Sequence, residues 1–325
     1  MSTIVGIDIA KDKFDVCLLD ANGQVHEAVF DNRKSGINKL HKWLKKKGTK
    51  QAHIALEATG IYGELVAETM YQRGYAISII NPARIKAYAD SQMRRNKTDQ
   101  LDAALIADYC RTQTPPLWTP PLPEIKALRA LVRHFEDLKQ ERQRAKNRLA
   151  STSATFVQKQ LKAQIRLLDK QIEEVKRAMK DHLDQHPDLK NDADLIQTIP
   201  GIGDITACVL LAELGDVRRF DNVREVVAFM GLNPRQHHSG KKQTTHGISR
   251  MGRAGLRAAL YMPAVVAKRC NPTLKAFAQR LETRQLKGKQ IIVAVMRKLV
   301  HLVYGILKSG KAFDAFYGQQ MPIAA

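Results

Sequence analysis

Cysteine is scarce in this 325-residue chain. Its four residues, Cys17, Cys110, Cys208 and Cys270, are scattered and form no Cys-x-x-Cys pair. That argues against a disulfide framework and a cysteine-based zinc site, and fits reduced thiols. No apolar run approaches the roughly 20 residues of a membrane span. The N-terminal MSTIVGIDIA lacks the basic-then-apolar order of a secretory signal. The expectation is a cytoplasmic protein with no membrane partner. Gly and Pro are missing altogether from 124–186, which favours helix there. Acidic residues are few towards the end: from Arg224 onward there are 3, against 18 basic residues.

What is present is positive charge. The chain carries 53 Lys+Arg against 32 Asp+Glu, a net +21. The first 120 residues hold 17 basic and 13 acidic residues, so most of the excess lies beyond them. An imbalance this concentrated points to a polyanionic partner. The hydrophobic share, 44%, suffices for a core, and the length suits two or three domains.

Residues 1–113 alternate strand and helix signals. Strands are expected at 3–9, 14–19, 25–30, 53–56 and 76–80, with Asn22-Gly23 closing a hairpin between the second and third. Helices are expected through Ile37, Leu40 and Leu44, then at 61–72, 82–91 and 98–111. Three strands with a hairpin followed by alternating α/β units is the order of an RNase H-like domain. Prolines at 115, 116, 120, 121 and 123 make 114–123 a stiff linker. Residues 124–186 form a helical arm. Leu161, Ile165, Leu168, Ile172, Val175 and Met179 step by four and three, a heptad seam that closes within the chain or against another copy. Residues 187–325 are a basic helical domain. There Gly201 and Gly203 suit a helix-hairpin-helix turn, whose glycines let a phosphate approach backbone N–H groups; an ordinary tight turn is the alternative.

Four carboxylates carry the first chemistry. Asp8 ends the first strand, Glu57 follows the strand at 53–56, and Asp99 and Asp102 lie three apart on one helix face. Hard divalent cations take carboxylate oxygens from several elements. Two such ions about 4 Å apart activate a nucleophile and stabilise a leaving oxygen in phosphoryl transfer. The stretch GIDIA also resembles the first phosphate loop of actin-like ATPases, but no second Gly-rich phosphate loop and no GxxxxGK[ST] follow.

A second cluster surrounds Ser239, which precedes a glycine on a presumed loop among Arg235, Lys241 and Lys242. Cations around a phosphate and a serine free to approach it are what serine attack requires; a polar turn serine is the commoner reading of such a residue. His237, His238 and His246 lack a fourth ligand at zinc spacing. Ser249, Arg250 and Arg253 form a similar cluster, read as a helix cap with phosphate contacts, and Arg257 follows in the next helix.

The motifs GIDIAKDK (6–13), EATGIY (57–62), Asn81-Pro82 with RNKTDQLD (95–102), and 199–203 running on to 231–234, 239–240 and 249–252 together resemble the IS-one-ten family of insertion-sequence transposases, the bridge-RNA-guided DNA recombinases. The likeness spans nearly the whole chain. It implies a RuvC-like domain whose DEDD set falls on Asp8, Glu57, Asp99 and Asp102 with Mg²⁺, a coiled-coil middle, and a transposase domain whose nucleophile falls on Ser239. Arg95, Lys97, Gly201, Gly203, Arg235, Lys241, Lys242, Arg250, Arg253 and Arg257 are the expected nucleic-acid contacts. The implied partners are donor and target DNA, a non-coding bridge RNA, and further copies in a dimer or tetramer. Two other functions compete: a metal-dependent nuclease or junction resolvase using water, and a nucleic-acid-binding protein without catalysis.

Overall fold

The computed structural model describes residues 3–49, 51–58, 60–93, 99–239 and 242–316, without the side chains of residues 61, 99, 100, 236–239 and 242–246. The chain forms two compact units, 1–120 and 121–325.

The first unit is built on five strands: β1 (Ile4–Ile9), β2 (Lys13–Leu19), β3 (Val25–Asp31), β4 (His53–Glu57) and β5 (Ala76–Ile80), in the order β3-β2-β1-β4-β5. β1, β2 and β3 are joined antiparallel, while β4 runs parallel to β1 and β5 parallel to β4. This is the order expected of an RNase H-like domain. Strand alternation divides the core into two layers. Val5, Ile7, Phe14, Val16 and Leu18 face α1 (Lys34–Lys46) and α2 (Glu64–Gln72), meeting Ile37, Leu40, Leu44, Val66 and Met70. Ile4, Cys17 and Ala55 face the other way, onto α3 (Pro82–Ser91) and α4 (Asp99–Gln113), through Ile85, Ala103, Ile106 and Ala107. Asn81 caps α3, its side chain accepting from the Ala83 N–H at 2.8 Å, with Pro82 in the first turn.

The proline-rich stretch is not a free spacer over its first half. Ser78 Oγ donates to the carbonyl of Pro116 at 2.8 Å, the Trp118 N–H donates to the Ile77 carbonyl at 2.6 Å, and the Trp118 indole packs edge-on against Tyr71. β5 is an edge strand, and this segment covers it.

The second unit is helical apart from one hairpin. α5 (Pro123–Ser151) and α6 (Thr155–Asp184) run antiparallel: Arg142 pairs with Asp169 at 2.9 Å, and His182 Nε2 lies 2.8 Å from the Glu124 carbonyl at the other end. The heptad seam therefore closes within the chain, with Leu168, Ile172, Val175 and Met179 buried against Val132, Phe135 and Leu138. The same core continues through α7 (Pro187–Gln197), α8 (Asp204–Leu214), α9 (Val223–Phe229), α10 (Ala254–Cys270), α11 (Pro272–Thr283) and α12 (Gly288–Ser309). α8 is apolar on every side and buried from Ala207 to Ala212, as a central helix must be. α12 is long and apolar enough by composition to cross a membrane, which corrects the reading that no segment approaches that length. Its apolar residues, among them Val295, Leu299 and Val303, are buried in the unit's core.

The hairpin departs from the all-helical expectation for the C-terminal region. β6 (Pro234–Ser239) pairs antiparallel with β7 (Lys242–Ile248), so Ser239 ends a strand rather than lying in a loop. The strands are almost wholly polar and lack the apolar alternation by which a strand is read.

Candidate active site

The carboxylates of the first unit are placed by register and helix direction. Gly6 pairs with Ala55 and Ile7 with Leu56 across the parallel β1–β4 ladder. Asp8 and Glu57 are the next residues on each strand, side by side at the sheet's carboxyl end, and both are half-buried. Their positions alternate with Gly6 and Ala55, so they lie on the face that α4 covers.

α4 runs antiparallel to β1. Its last turn is held near the start of β4, where Cys110 Sγ lies 3.5 Å from His53 Nδ1. Its middle presses on Gly6, where an added Cβ would stand 2.2 Å from the Ala103 oxygen and 2.4 Å from the Ala107 nitrogen. Only glycine permits this approach. The first turn of α4, which carries Asp99 and Asp102, is thereby directed to the carboxyl ends of β1 and β4. Asp102 is half-buried, and the Asp99 side chain lies outside the described set. Among the described residues no three His, Cys, Asp or Glu side chains form a metal-sized group. The donor chemistry nonetheless fits a hard cation: carboxylate oxygens from two strands and one helix at one sheet end.

Three residues at this end were not singled out from the sequence. Asp15 on β2 is paired directly with Asp8 and is only 4% exposed. Opposed carboxylates repel, and the Lys13 ammonium, 3.1 Å from Asp15, offsets this. Alternation on β2 could have found Asp15, since Phe14, Val16 and Leu18 take the other face. Asn32, just after β3, donates from Nδ2 to the carbonyl of Ala10 at 3.0 Å and to that of Tyr62 at 3.1 Å. It ties the loop after Asp8 to the loop after Glu57. No sequence signal marks it.

In the second unit, Ser239 occupies the tip of the hairpin, paired with Lys242; Gly240 and Lys241 lie outside the described residues. The candidate contacts Arg95 and Lys97 of the first unit also lie outside them. Ser249 stands at the opposite end of the hairpin, about 20 Å from Ser239 at the rise of a strand. Its N–H donates to the Asn233 carbonyl at 2.8 Å. That base is tightly built. An added Cβ on Gly252 would lie 2.4 Å from the Phe229 oxygen, and Gly231 takes a left-handed φ of 69°. Arg257 donates to the carbonyls of Met230 and Gly252, both at 3.0 Å, and Arg253 pairs with Glu213 and lies over the Phe229 ring. Both guanidinium groups thus have partners inside the unit, whereas Arg235 and Arg250 are exposed. Gly201 has a packing role: its added Cβ would stand 2.6 Å from the Ala267 Cβ on α10. Gly203, at the N-terminus of α8, faces open space.

Comparison with known proteins decides the family. Residues 5–156 match a family described as "Transposase", of the DEDD type of IS110, and residues 193–279 match "Transposase IS116/IS110/IS902 family". A "Pilin gene-inverting protein" of Moraxella bovis is 35% identical, over 96% of this chain and 98% of that one. The chain belongs to the IS110 family of transposases. A "Transposase for insertion sequence element IS1328" of Yersinia enterocolitica is 28% identical, again over 96% of this chain and 98% of its own. Among solved structures, T. thermophilus RuvC in complex with Holliday junction substrate aligns at a TM-score of 0.29 and 12% identity, over 36% of this chain and all of that one. The IS110-family matches cover both the carboxylate-bearing unit and the hairpin that carries Ser239.

Proposed function

We propose that this IS110-family transposase cuts and rejoins DNA strands at the ends of an insertion sequence, with Ser239 as nucleophile and Asp8, Glu57, Asp99 and Asp102 as ligands of Mg²⁺. The observation that carries this reading is the convergence of Asp8, Glu57 and the first turn of α4 at one end of the sheet. Bound Mg²⁺ would supply charge to polarise the scissile phosphate and stabilise the leaving oxygen. Asp8 and Glu57, fixed by neighbouring strands, hold their oxygens in place; Asp102 approaches from the helix.

The Ser239 hydroxyl attacks the phosphorus, its proton passes to a base such as His237 or His238, and the bond to the leaving sugar oxygen breaks. The strand end is then held as a phosphoserine ester, which a sugar hydroxyl of the other DNA reverses in joining. Arg235, Lys241 and Lys242 flank Ser239 and offset phosphate charge. The tip position of Ser239 supports this choice over Ser249, whose backbone is bonded into the hairpin base. The family resemblance supports a structured RNA as guide, and a serine that meets the carboxylates of another protomer within a dimer or tetramer. Gene inversion, named for the Moraxella relative, requires the same cutting and joining.

Incubation with labelled DNA ends followed by denaturing electrophoresis tests the reading. Wild type and Ser249→Ala are expected to carry label covalently in Mg²⁺ and not in EDTA. Ser239→Ala and Asp8→Asn are expected to bind DNA but carry none. Cleavage without any adduct would instead make water the nucleophile, and adduct formation in EDTA would remove the metal.

A further inference from the structure

Net charge in the first unit is modest, but it is unevenly placed. Residues 32–56 hold eight basic residues, Arg33, Lys34, Lys39, Lys42, Lys45, Lys46, Lys47 and Lys50, and no acidic one. Over residues 1–120 the net charge is +4, so the remainder of that stretch is net negative. The expected nucleic-acid contacts named from the sequence include none of these eight.

α1 turns this composition into a surface. Ile37, Leu40 and Leu44 are buried on the sheet, and Lys34, Lys39, Lys42, Lys45 and Lys46 occupy the opposite side, all exposed. At 100° per residue the five span an arc of about 140°, and at 1.5 Å per residue they extend about 18 Å along the axis. Among the described residues none of the five forms an ion pair. An ordinary solvated helix mixes signs, as the second unit does where Lys139 meets Glu136 at 3.0 Å, Lys176 meets Glu173 at 2.7 Å and Lys190 meets Asp194 at 3.4 Å. Here Lys39 and Lys42, Lys42 and Lys45, and Lys42 and Lys46 stand as like charges three or four apart, each pair costing a few tenths of a kcal/mol. Lys34 also opposes the helix dipole at the first turn. A sequence that bears these costs has a polyanion to meet.

The direction of α1 names the polyanion. β3 runs parallel to β1, because each is antiparallel to β2, so β3 ends at the same sheet end as Asp8 and Glu57. Asn32 fastens this end to the loops that follow Asp8 and Glu57, and α1 starts two residues later. The lysine face therefore starts at the sheet end that holds the carboxylates, on the opposite side of the sheet from them, and leads away from that end.

We infer that the exposed lysine face of α1 is a docking strip for the backbone of duplex DNA flanking the scissile phosphate. One DNA strand places a phosphate about every 3.4 Å of duplex axis, so about 18 Å spans about five of them. The strip contacts backbone alone and adds affinity without sequence preference. Its position rests on the carboxylate end being where DNA is cut; its binding role does not require cutting.

The test compares full-length wild type with Lys39→Gln/Lys42→Gln/Lys46→Gln and with the same three positions changed to Arg. Binding to an arbitrary-sequence duplex DNA and to an arbitrary-sequence duplex RNA is measured over a range of salt, without Mg²⁺. Each lost phosphate contact should lower the log–log salt slope by about 0.9, so the Gln variant should lose about 2 to 3 on DNA. The Arg variant should match wild type. A Gln variant with unchanged DNA slope would show that the face is merely solvated. A loss confined to RNA would overturn the assignment to DNA. Adduct formation by wild type, read separately, reports on the catalytic reading, so the two can fail independently.

Discussion

Gly6 on β1 and Ala103 on α4 meet backbone against backbone, with an added Cβ only 2.2 Å from the Ala103 carbonyl oxygen. The contact sets how closely the carboxylate-bearing helix approaches the carboxylate-bearing strand. Gly6→Ala must push α4 outward, because the obstructing atoms are backbone and cannot rotate aside. Overpacking of this kind costs about 1–3 kcal/mol or more, a fall in melting temperature of several degrees. Gly288→Ala, at the start of α12 with nothing within 4 Å, is the control and should be neutral or slightly stabilising. Thermal melts of both variants check this; an unchanged Gly6→Ala melt would mean that α4 is not seated against β1.

Asn32 acts through two carbonyls. Its Nδ2 holds Ala10 and Tyr62, while Oδ1 is buried without a partner among the described groups. Asn32→Ala removes both bonds to carbonyls that water can reach, at about 0.5–1.5 kcal/mol each. Because Ala10 follows Asp8 and Tyr62 follows Glu57, the two carboxylates should also lose alignment. The expected result is a several-fold higher Mg²⁺ concentration for half-maximal adduct formation, with DNA affinity unchanged. A variant that is only less stable, with the same Mg²⁺ requirement, would give Asn32 a structural role alone.

The sheet of the first unit was legible because its strands carry dense apolar signals and each turn has its own punctuation. Val25–Asp31 alternates exposed and half-buried positions, and Asn22-Gly23 supplies the hairpin turn, with Gly23 at φ 83°. Asp8 and Glu57 were legible as strand-end acids. The pairing of Asp15 with Asp8 was not, because it depends on hairpin register. The β6–β7 hairpin was missed for a different reason: Arg-Gln-His-His-Ser offers no apolar alternation, and only Gly240 after Ser239 hints at a two-residue turn. The role of Gly201 was open to either reading until its approach to Ala267 was known, because phosphate contact and close packing both ask for glycine.

Gly201 allows those two roles to be separated by measurement. Its φ of 109° and the 2.6 Å approach to the Ala267 Cβ make Gly201→Ala strained in both backbone and packing. The second unit should melt several degrees lower, and adding Ala267→Gly should restore part of the loss, since it removes the nearest of the obstructing atoms. At a temperature where the variant is folded, the salt slope of DNA binding should equal that of wild type. A reduced slope with a normal melt would return Gly201 to the phosphate.

Three histidines should make the protein acid-sensitive. Burial holds the imidazole of His53 below its ordinary value of 6.5, with Nε2 2.8 Å from Ser78 Oγ. Burial does the same for His41, helped by Arg73 and Lys45, and for His301, helped by Lys298 and Arg297. Each is a base whose folded pKa lies below its unfolded one, so the unfolded chain takes up the proton first. Their contribution to stability is complete above about pH 6.5 and is lost as the pH falls through 6.5 towards the folded values. Calorimetric melts at about pH 7.5 and about pH 5.5 should show the loss in both units. His301 gives the sharpest check, because its Nε2 is buried without a partner among the described groups. Replacing an unpaired polar group with an apolar one of similar shape is neutral or favourable. His301→Leu should therefore melt no lower than wild type near neutrality and higher in acid, with a shallower pH dependence of the second unit's transition. A variant with the wild-type pH profile would mean that His301 takes up its proton in the folded chain as readily as in the unfolded one.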